Sequence, residues 1–136
     1  MFQELIGIET PGRGLHDITA EVAAVASGSG VQSGLCHVFL QHTSASLVIQ
    51  ENADPDVLHD LNGWFERAVT DGDPRYLHDA EGPDDMSAHI RAALTAHSLT
   101  IPVRNASLAL GSWQGIFLFE HRTRPHRRKL VISVTP

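Results

Sequence analysis

Ile18, Val22 and Val25 recur at helical spacing, which predicts a helix over Asp17 to Ser27 that stops at the glycines of Ser27-Gly28-Ser29-Gly30. A second amphipathic stretch follows Asp54, a cap residue, and Pro55, tolerated in a first helical turn. It carries Val57, Leu58, Leu61, Trp64, Phe65 and Ala68 on one side and is expected to end near Asp71-Gly72-Asp73-Pro74. A third opens at Pro83-Asp84-Asp85, with Asp84 as its cap, turns Met86, Ile90, Ala93 and Leu94 toward a core, and ends near His97. Strands are expected at Phe2 to Ile8, Leu35 to Gln41, Ser46 to Gln50, Leu99 to Val103, Ser107 to Leu110, Ser112 to Glu120 and Leu130 to Thr135. Several neighbouring strands lie too close together for helical crossovers. Hairpins and a mainly antiparallel sheet follow, giving an α+β class.

With 136 residues the chain is expected to form one domain, residues 1–136. Apolar residues make up 42% and charged residues 19%, a globular composition and not a disordered one. Ten basic against sixteen acidic residues leave a formal charge of −6, which argues against a nucleic-acid binder or an anionic-membrane binder. The one cysteine, Cys36, can form neither an internal disulfide nor a Cys-rich zinc site. No apolar run approaches the ~20 residues of a membrane span, and MFQELIGIET lacks the marks of a signal peptide. The expected location is cytoplasmic.

Nine histidines are many for this length, and some fall among carboxylates. In His78-Asp79-Ala80-Glu81-Gly82-Pro83-Asp84-Asp85-Met86-Ser87-Ala88-His89, the third helix puts Asp85 and His89 on one face, four residues apart, while His78 and Glu81 enter from the preceding loop. These groups suit a divalent metal or a general acid/base pair; the bland alternative is helix capping with solvated imidazoles. Gln41-His42-Thr43-Ser44-Ala45-Ser46 joins two strands and offers an imidazole and hydroxyls to a metal or a phosphate, or forms a plain turn. No nucleophile elbow surrounds its serines. Asn52 and Asp54 face a ligand, or Asp54 only caps a helix. In Leu110-Gly111-Ser112-Trp113-Gln114-Gly115-Ile116 the glycines suggest close approach of another backbone or a ligand, and strand periodicity puts Gln114 and Glu120 on one face, able to line one pocket. His121-Arg122-Thr123-Arg124-Pro125-His126-Arg127-Arg128-Lys129 holds half of the Lys and Arg residues, a solvated hairpin or a contact for a small phosphorylated metabolite.

Taken together, His42-Thr43-Ser44-Ala45-Ser46-Leu47, Glu51-Asn52-Ala53-Asp54-Pro55-Asp56-Val57, Glu81-Gly82-Pro83-Asp84-Asp85-Met86-Ser87-Ala88-His89-Ile90 and Leu110-Gly111-Ser112-Trp113-Gln114-Gly115-Ile116 with Glu120-His121-Arg122 resemble the YjbQ-like family over nearly the whole chain. Its members are described as secondary thiamine-phosphate synthases. Ser44 and Ser112 stand where threonine is common, with a hydroxyl kept at each. The resemblance implies a barrel-like sheet, a homotrimer with sites near subunit boundaries, and a transferase that joins a hydroxymethylpyrimidine diphosphate to a thiazole phosphate with release of pyrophosphate. It favours His42, His78 and His89 as ligands of a divalent ion (zinc, manganese or magnesium), and His42, His89, Asp85 and Glu120 as catalytic groups. Arg122, Arg128, Thr43, Ser44, Asn52 and Gln114 would then hold the phosphorylated ligand. The alternatives weighed are a metal-dependent hydrolase and a non-catalytic binding protein for such a metabolite.

Overall fold

The seven expected strand runs become seven of eight strands and the amphipathic stretches three helices. In the computed structural model, which describes residues 1–136, these are β1 (Phe2–Thr10), β2 (Gly14–Asp17), α1 (Thr19–Gly28), β3 (Ser33–Leu40), β4 (Ala45–Glu51), α2 (Pro55–Ala68), α3 (Asp85–Leu94), β5 (Ser98–Arg104), β6 (Ser107–Leu108), β7 (Gln114–Glu120) and β8 (His126–Thr135). Two curled sheets, β1-β8-β3-β5-β6 and β2-β7-β4, are antiparallel at every ladder. The α+β class read from the strand spacing holds, and so does the barrel-like curl implied by the resemblance. No helix is long and apolar enough to cross a membrane.

Period-two burial makes the core. Cys36, Val38 and Leu40 of β3 and Leu130, Ile132 and Val134 of β8 point inward, and α1 lays Val22, Val25 and Ala26 upon them with Ile116 and Leu118 of β7. Each fully buried aliphatic side chain contributes roughly 1.5 to 3 kcal/mol relative to exposure.

Boundaries shift where tertiary pairing overrides local pattern. Gly14–Asp17 pairs with Phe117–Glu120 as β2, an unexpected strand, so α1 starts two residues later than read. There Asp17 accepts from the Thr19 backbone N–H at 2.9 Å. Helix α2 ends at Ala68, short of the expected Asp71, because Val69 is already extended. Helix α3 stops at Leu94, since Leu47 of β4 captures Ala96 in a bridge. Strand β7 begins at Gln114, not Ser112, after a turn in which Gln114 N–H donates to Gly111 O at 3.1 Å. Strand β8 begins at His126 rather than Leu130, and this pulls the basic run into the sheet.

Asn105 (φ 52°) and Ala106 (φ 63°) both lie in the left-handed region, forming the tight turn between β5 and β6. Alanine is strained there. Ala106→Gly is expected to raise stability by about 0.5 kcal/mol, after the larger unfolded-state entropy of glycine is subtracted. A urea midpoint at or below that of the parent protein would contradict this.

Candidate metal centre

The loop before α3 and its first two turns bring three ligating groups together. His78 Nε2 lies 2.6 Å from Asp85 Oδ2, and His89 Nε2, one helical turn beyond Asp85, lies 3.1 Å from the same oxygen. The three donor atoms lie within 4.8 Å of one another. Asp85 is buried, while the two imidazoles are half-buried and reach solvent. Thr43 O, which can only accept, lies 3.1 Å from His89 Nδ1. That bond places the proton on Nδ1 and leaves Nε2 of the neutral ring with a lone pair facing a carboxylate oxygen. A cation between them satisfies both, and the carbonyl behind the imidazole is the support that metal-ligating histidines ordinarily have. The donor set therefore fits a divalent transition-metal ion.

Arg122 builds this arrangement from behind. Its NH1 donates to Asp85 Oδ1 at 2.8 Å, its Nε to Asp84 Oδ2 at 3.1 Å and its NH2 to Glu81 O at 2.9 Å. With Oδ1 thus engaged, Oδ2 is left to the histidines. Burial pulls the Asp85 carboxyl upward, but the hydrogen bonds of His78 and Glu81 and the charge of Arg122 outweigh it and hold the group below its usual range. Asp84 is likewise held well below that range. Burial is again opposed, here by bonds from the Thr123 backbone and side chain and from Arg122. Asp84 occupies the N-cap position, yet its side chain caps nothing. The carboxylate expected there as a cap instead accepts from Thr123 N–H at 2.9 Å and tethers α3 to the β7–β8 hairpin. The cap read at Asp54 does form, at 2.9 Å to Asp56 N–H.

His42 stands apart from the trio, although the resemblance places it among the ligands. Its Nε2 accepts from Lys129 N–H at 2.8 Å. Burial first, and the Arg128 charge next, lower its pKa, so the ring is held neutral as an acceptor. Thr43 contributes its carbonyl. Ser44 Oγ accepts from Arg128 NH2 at 3.0 Å.

Glu120, expected to be catalytic, is fully buried, and Arg128 is 4% exposed. Arg128 Nε donates to Glu120 Oε1 at 2.8 Å and its NH2 pairs with Oε2, while Thr10 Oγ1 donates to Oε1 at 2.7 Å. The Glu120 carboxyl is driven upward by burial and further downward by Arg128 and Thr10, ending low. Arg122 and Arg128, expected to contact phosphate, therefore spend their guanidinium groups inside the protein. Nothing in the sequence marks Thr10 as a neighbour of Glu120.

Gln114 and Glu120 do not line one pocket. They begin and end β7, about 20 Å apart at strand rise, and Gln114 is exposed with its Oε1 accepting from Gly111 N–H at 2.8 Å. Asn52 N–H donates to Trp113 O at 3.0 Å, and its Cβ lies 3.1 Å from where a side chain on Gly115 would begin. That close approach is what the glycines suggested. A second buried pair, Ser46 Oγ and His121 Nε2 at 2.8 Å, carries no signal in the residue pattern, because its members lie 75 residues apart, one in β4 and one just after β7. Burial, with the nearby Arg91 charge, pushes the His121 imidazole down to about 3, so it remains neutral.

Two open clefts flank the trio. One of about 330 Å³ is lined by His78, Tyr76 and Asp79, among others. The other, of about 600 Å³, is lined by His42, Thr43, Ser44, Phe39 and His97 and adjoins His89 through Thr43.

Comparison with known proteins gives a consistent picture. The family model described as UPF0047 protein YjbQ-like matches residues 4–136. UPF0047 protein sll1880 of Synechocystis sp. is 54% identical over 133 residues, covering 98% of this chain and 90% of that protein. UPF0047 protein YjbQ of Escherichia coli O157:H7 is 40% identical over 134 residues, covering 98% and 96%. Among solved structures, the conserved hypothetical protein TT1486 of Thermus thermophilus superposes with a TM-score of 0.87 at 32% identity, covering 97% of this chain and 99% of that one. None of these descriptions carries a thiamine-phosphate synthase activity, and the expectation of that transferase reaction is corrected accordingly. The buried, paired state of Arg122 and Arg128 agrees, because it leaves neither of these guanidinium groups free to receive a departing pyrophosphate. Matched along 4–136 and to relatives of this identity, the chain belongs to the UPF0047 YjbQ-like family.

Proposed function

We propose that His78, Asp85 and His89 hold one divalent metal ion whose remaining coordination positions accept an anionic oxygen of a small molecule, with phosphorylated metabolites as the ligand class. The supporting observation is the convergence of two imidazole nitrogens on one carboxylate oxygen, with a carbonyl fixing the tautomer of one ring. Two nitrogens and one oxygen favour zinc or manganese over magnesium, which prefers an all-oxygen shell and keeps its waters. When bound, such an ion supplies Lewis acidity toward the ligand oxygen. Arg122 orients Asp85, Thr43 orients His89, and the cleft beside His42 and Ser44 supplies room for the rest of the ligand.

Calorimetric titration with zinc, manganese and magnesium salts tests this. The protein is expected to bind one equivalent of zinc, and His89→Ala to bind it roughly 100-fold or more weakly, since loss of even a supporting group typically costs 10- to 100-fold. His89 is half-buried, so the melting temperature of the variant in chelator should stay close to that of the parent. Failure of the parent protein to bind zinc or manganese, or equal binding by the variant, would overturn the proposal.

A further inference from the structure

The chain between α2 and α3 makes a loop whose ends meet. Gly72 N–H donates to Pro83 O at 2.8 Å and closes a neck, where Gly72 and Gly82 turn the backbone in the left-handed region, at φ 66° and 102°. Both flanks of the neck are fixed to the body of the protein. Asp71 accepts from Arg13 and Ser87, and Asp84 accepts from Arg122 and Thr123.

Inside the neck the loop has little hold on the rest of the molecule. No residue from Thr70 to Pro83 is buried, and Leu77, midway along the loop, is 99% exposed. From Asp73 to Ala80 the hydrogen bonds stay within the loop, as between Arg75 and Asp73, or return through the Tyr76 hydroxyl to Thr70 O at its base. One bond leaves it, between His78 Nε2 and Asp85 Oδ2. Beyond Ala80 the fixed chain resumes, with Glu81 O held by Arg122 NH2 at 2.9 Å. The trio is therefore assembled unequally. Asp85 and His89 stand one turn apart on a packed helix, whereas His78 rides on a segment with no core of its own. Segments with so few buried contacts open more readily than the elements around them.

We propose that residues 73–80 form a flap closed by metal binding, a reading that rests on the trio holding an ion as proposed above. With the ion bound, His78 is its third protein ligand and latches the flap to α3. Otherwise the latch is the single His78–Asp85 bond, at an imidazole 41% exposed, where water competes for the same groups. Every residue lining the cleft of about 330 Å³ beside the trio lies within 72–83, so closure of the flap also shapes that cleft. Metal loading then prepares the cleft for a ligand, and exchange of the ion proceeds through the open flap.

Limited trypsin digestion in saturating zinc and in chelator tests it, with zinc calorimetry on the same preparations. Arg75 lies in the flap with its side chain 89% exposed and Tyr76 after it, so cleavage there reports the open population. Mass spectrometry reads the fragments 1–75 and 76–136, and a small peptide substrate in the same tube reports the activity of trypsin itself. Zinc is expected to slow cleavage after Arg75 roughly tenfold or more. The slowing should not exceed the factor by which His78→Ala weakens zinc binding, because a ligand shifts an equilibrium only by its differential affinity for the two states. His78→Ala is expected to fold, by circular dichroism, and to be cut at one rate with and without zinc. A parent protein that binds zinc yet is cut equally fast in chelator, or a His78→Ala variant protected like the parent, would overturn the flap and leave the metal centre standing. A parent protein that binds no zinc would overturn both.

Discussion

Glu120→Ala is expected to destabilise the protein by about 3 to 5 kcal/mol, the range for removing one member of a buried ion pair. The residue is fully buried, and its loss strands Arg128, which is 4% exposed and has both Nε and NH2 directed at the missing carboxylate. Thr10, whose hydroxyl donates to Oε1, also loses its acceptor. The charge of Arg128 would then sit in a poorly hydrated interior with only Ser44 and His42 near it. Glu120→Gln keeps an acceptor for Thr10 and one Arg128 donor, so its loss should be smaller. Guanidinium unfolding measures both. If Glu120→Ala lost less than ~1 kcal/mol, the buried pair would have to be replaceable by water. Zinc affinity should stay within a few-fold of the parent, because Glu120 is not among the three ligating groups. A loss of metal binding in a folded variant would place Glu120 back among the working residues.

Arg122→Met carries a comparable cost by the opposite route. It leaves two buried carboxylates, Asp84 and Asp85, without their shared cation, again about 3 to 5 kcal/mol. The same substitution frees Asp85 Oδ1, so the carboxylate can rotate and Oδ2 is no longer presented to His78 and His89. Zinc affinity is therefore expected to fall roughly 10- to 100-fold, as for other residues that hold a ligand from behind. Arg122→Lys separates the two effects. It keeps the positive charge and lacks the planar fork that spans Asp84, Asp85 and Glu81, so it should recover more stability than affinity. Denaturation and zinc titration of the same preparations decide the matter. Parent-like affinity in Arg122→Met would show that Asp85 is oriented by the helix alone.

Much of this protein was legible in its residue pattern. The three- and four-residue spacing of Ile18, Val22 and Val25 along α1 and of Val57, Leu58, Leu61 and Phe65 along α2 depends only on neighbours along the chain, so the inward side of each helix is legible in sequence, although Trp64 and Ala68, read with the α2 group, are exposed. Asp85 and His89 share a face because helical geometry puts residues four apart side by side. His78 lies seven residues before Asp85, close enough for the loop to return it to the helix. The family membership also rests on sequence, through motifs that keep their order along 4–136.

What the pattern could not give was the pairing of charges across distant segments. Arg122 and Arg128 read as a basic surface run, and the ladder from Thr10 to His126 instead draws the segment into β8, where alternation turns Arg128 inward on the same face as Leu130. Whether an arginine meets phosphate or a buried carboxylate depends on what lies across the fold, and Glu120 and Asp84 are found there. His42 was lost to the metal trio for the same reason, since the Lys129 N–H reaches its Nε2 first. The sequence by itself therefore determined all the elements but β2, the buried face of α1 and the local His and Asp cluster, all set by short-range periodicity, whereas α3 buries Asp85, Ser87, Ala88, Arg91 and Ala92 in place of the expected face of Met86, Ile90, Ala93 and Leu94. Only the tertiary structure decided which polar groups are used internally and which are left open to a ligand, because that is settled by partners remote in sequence and by the cost of burying a charge alone.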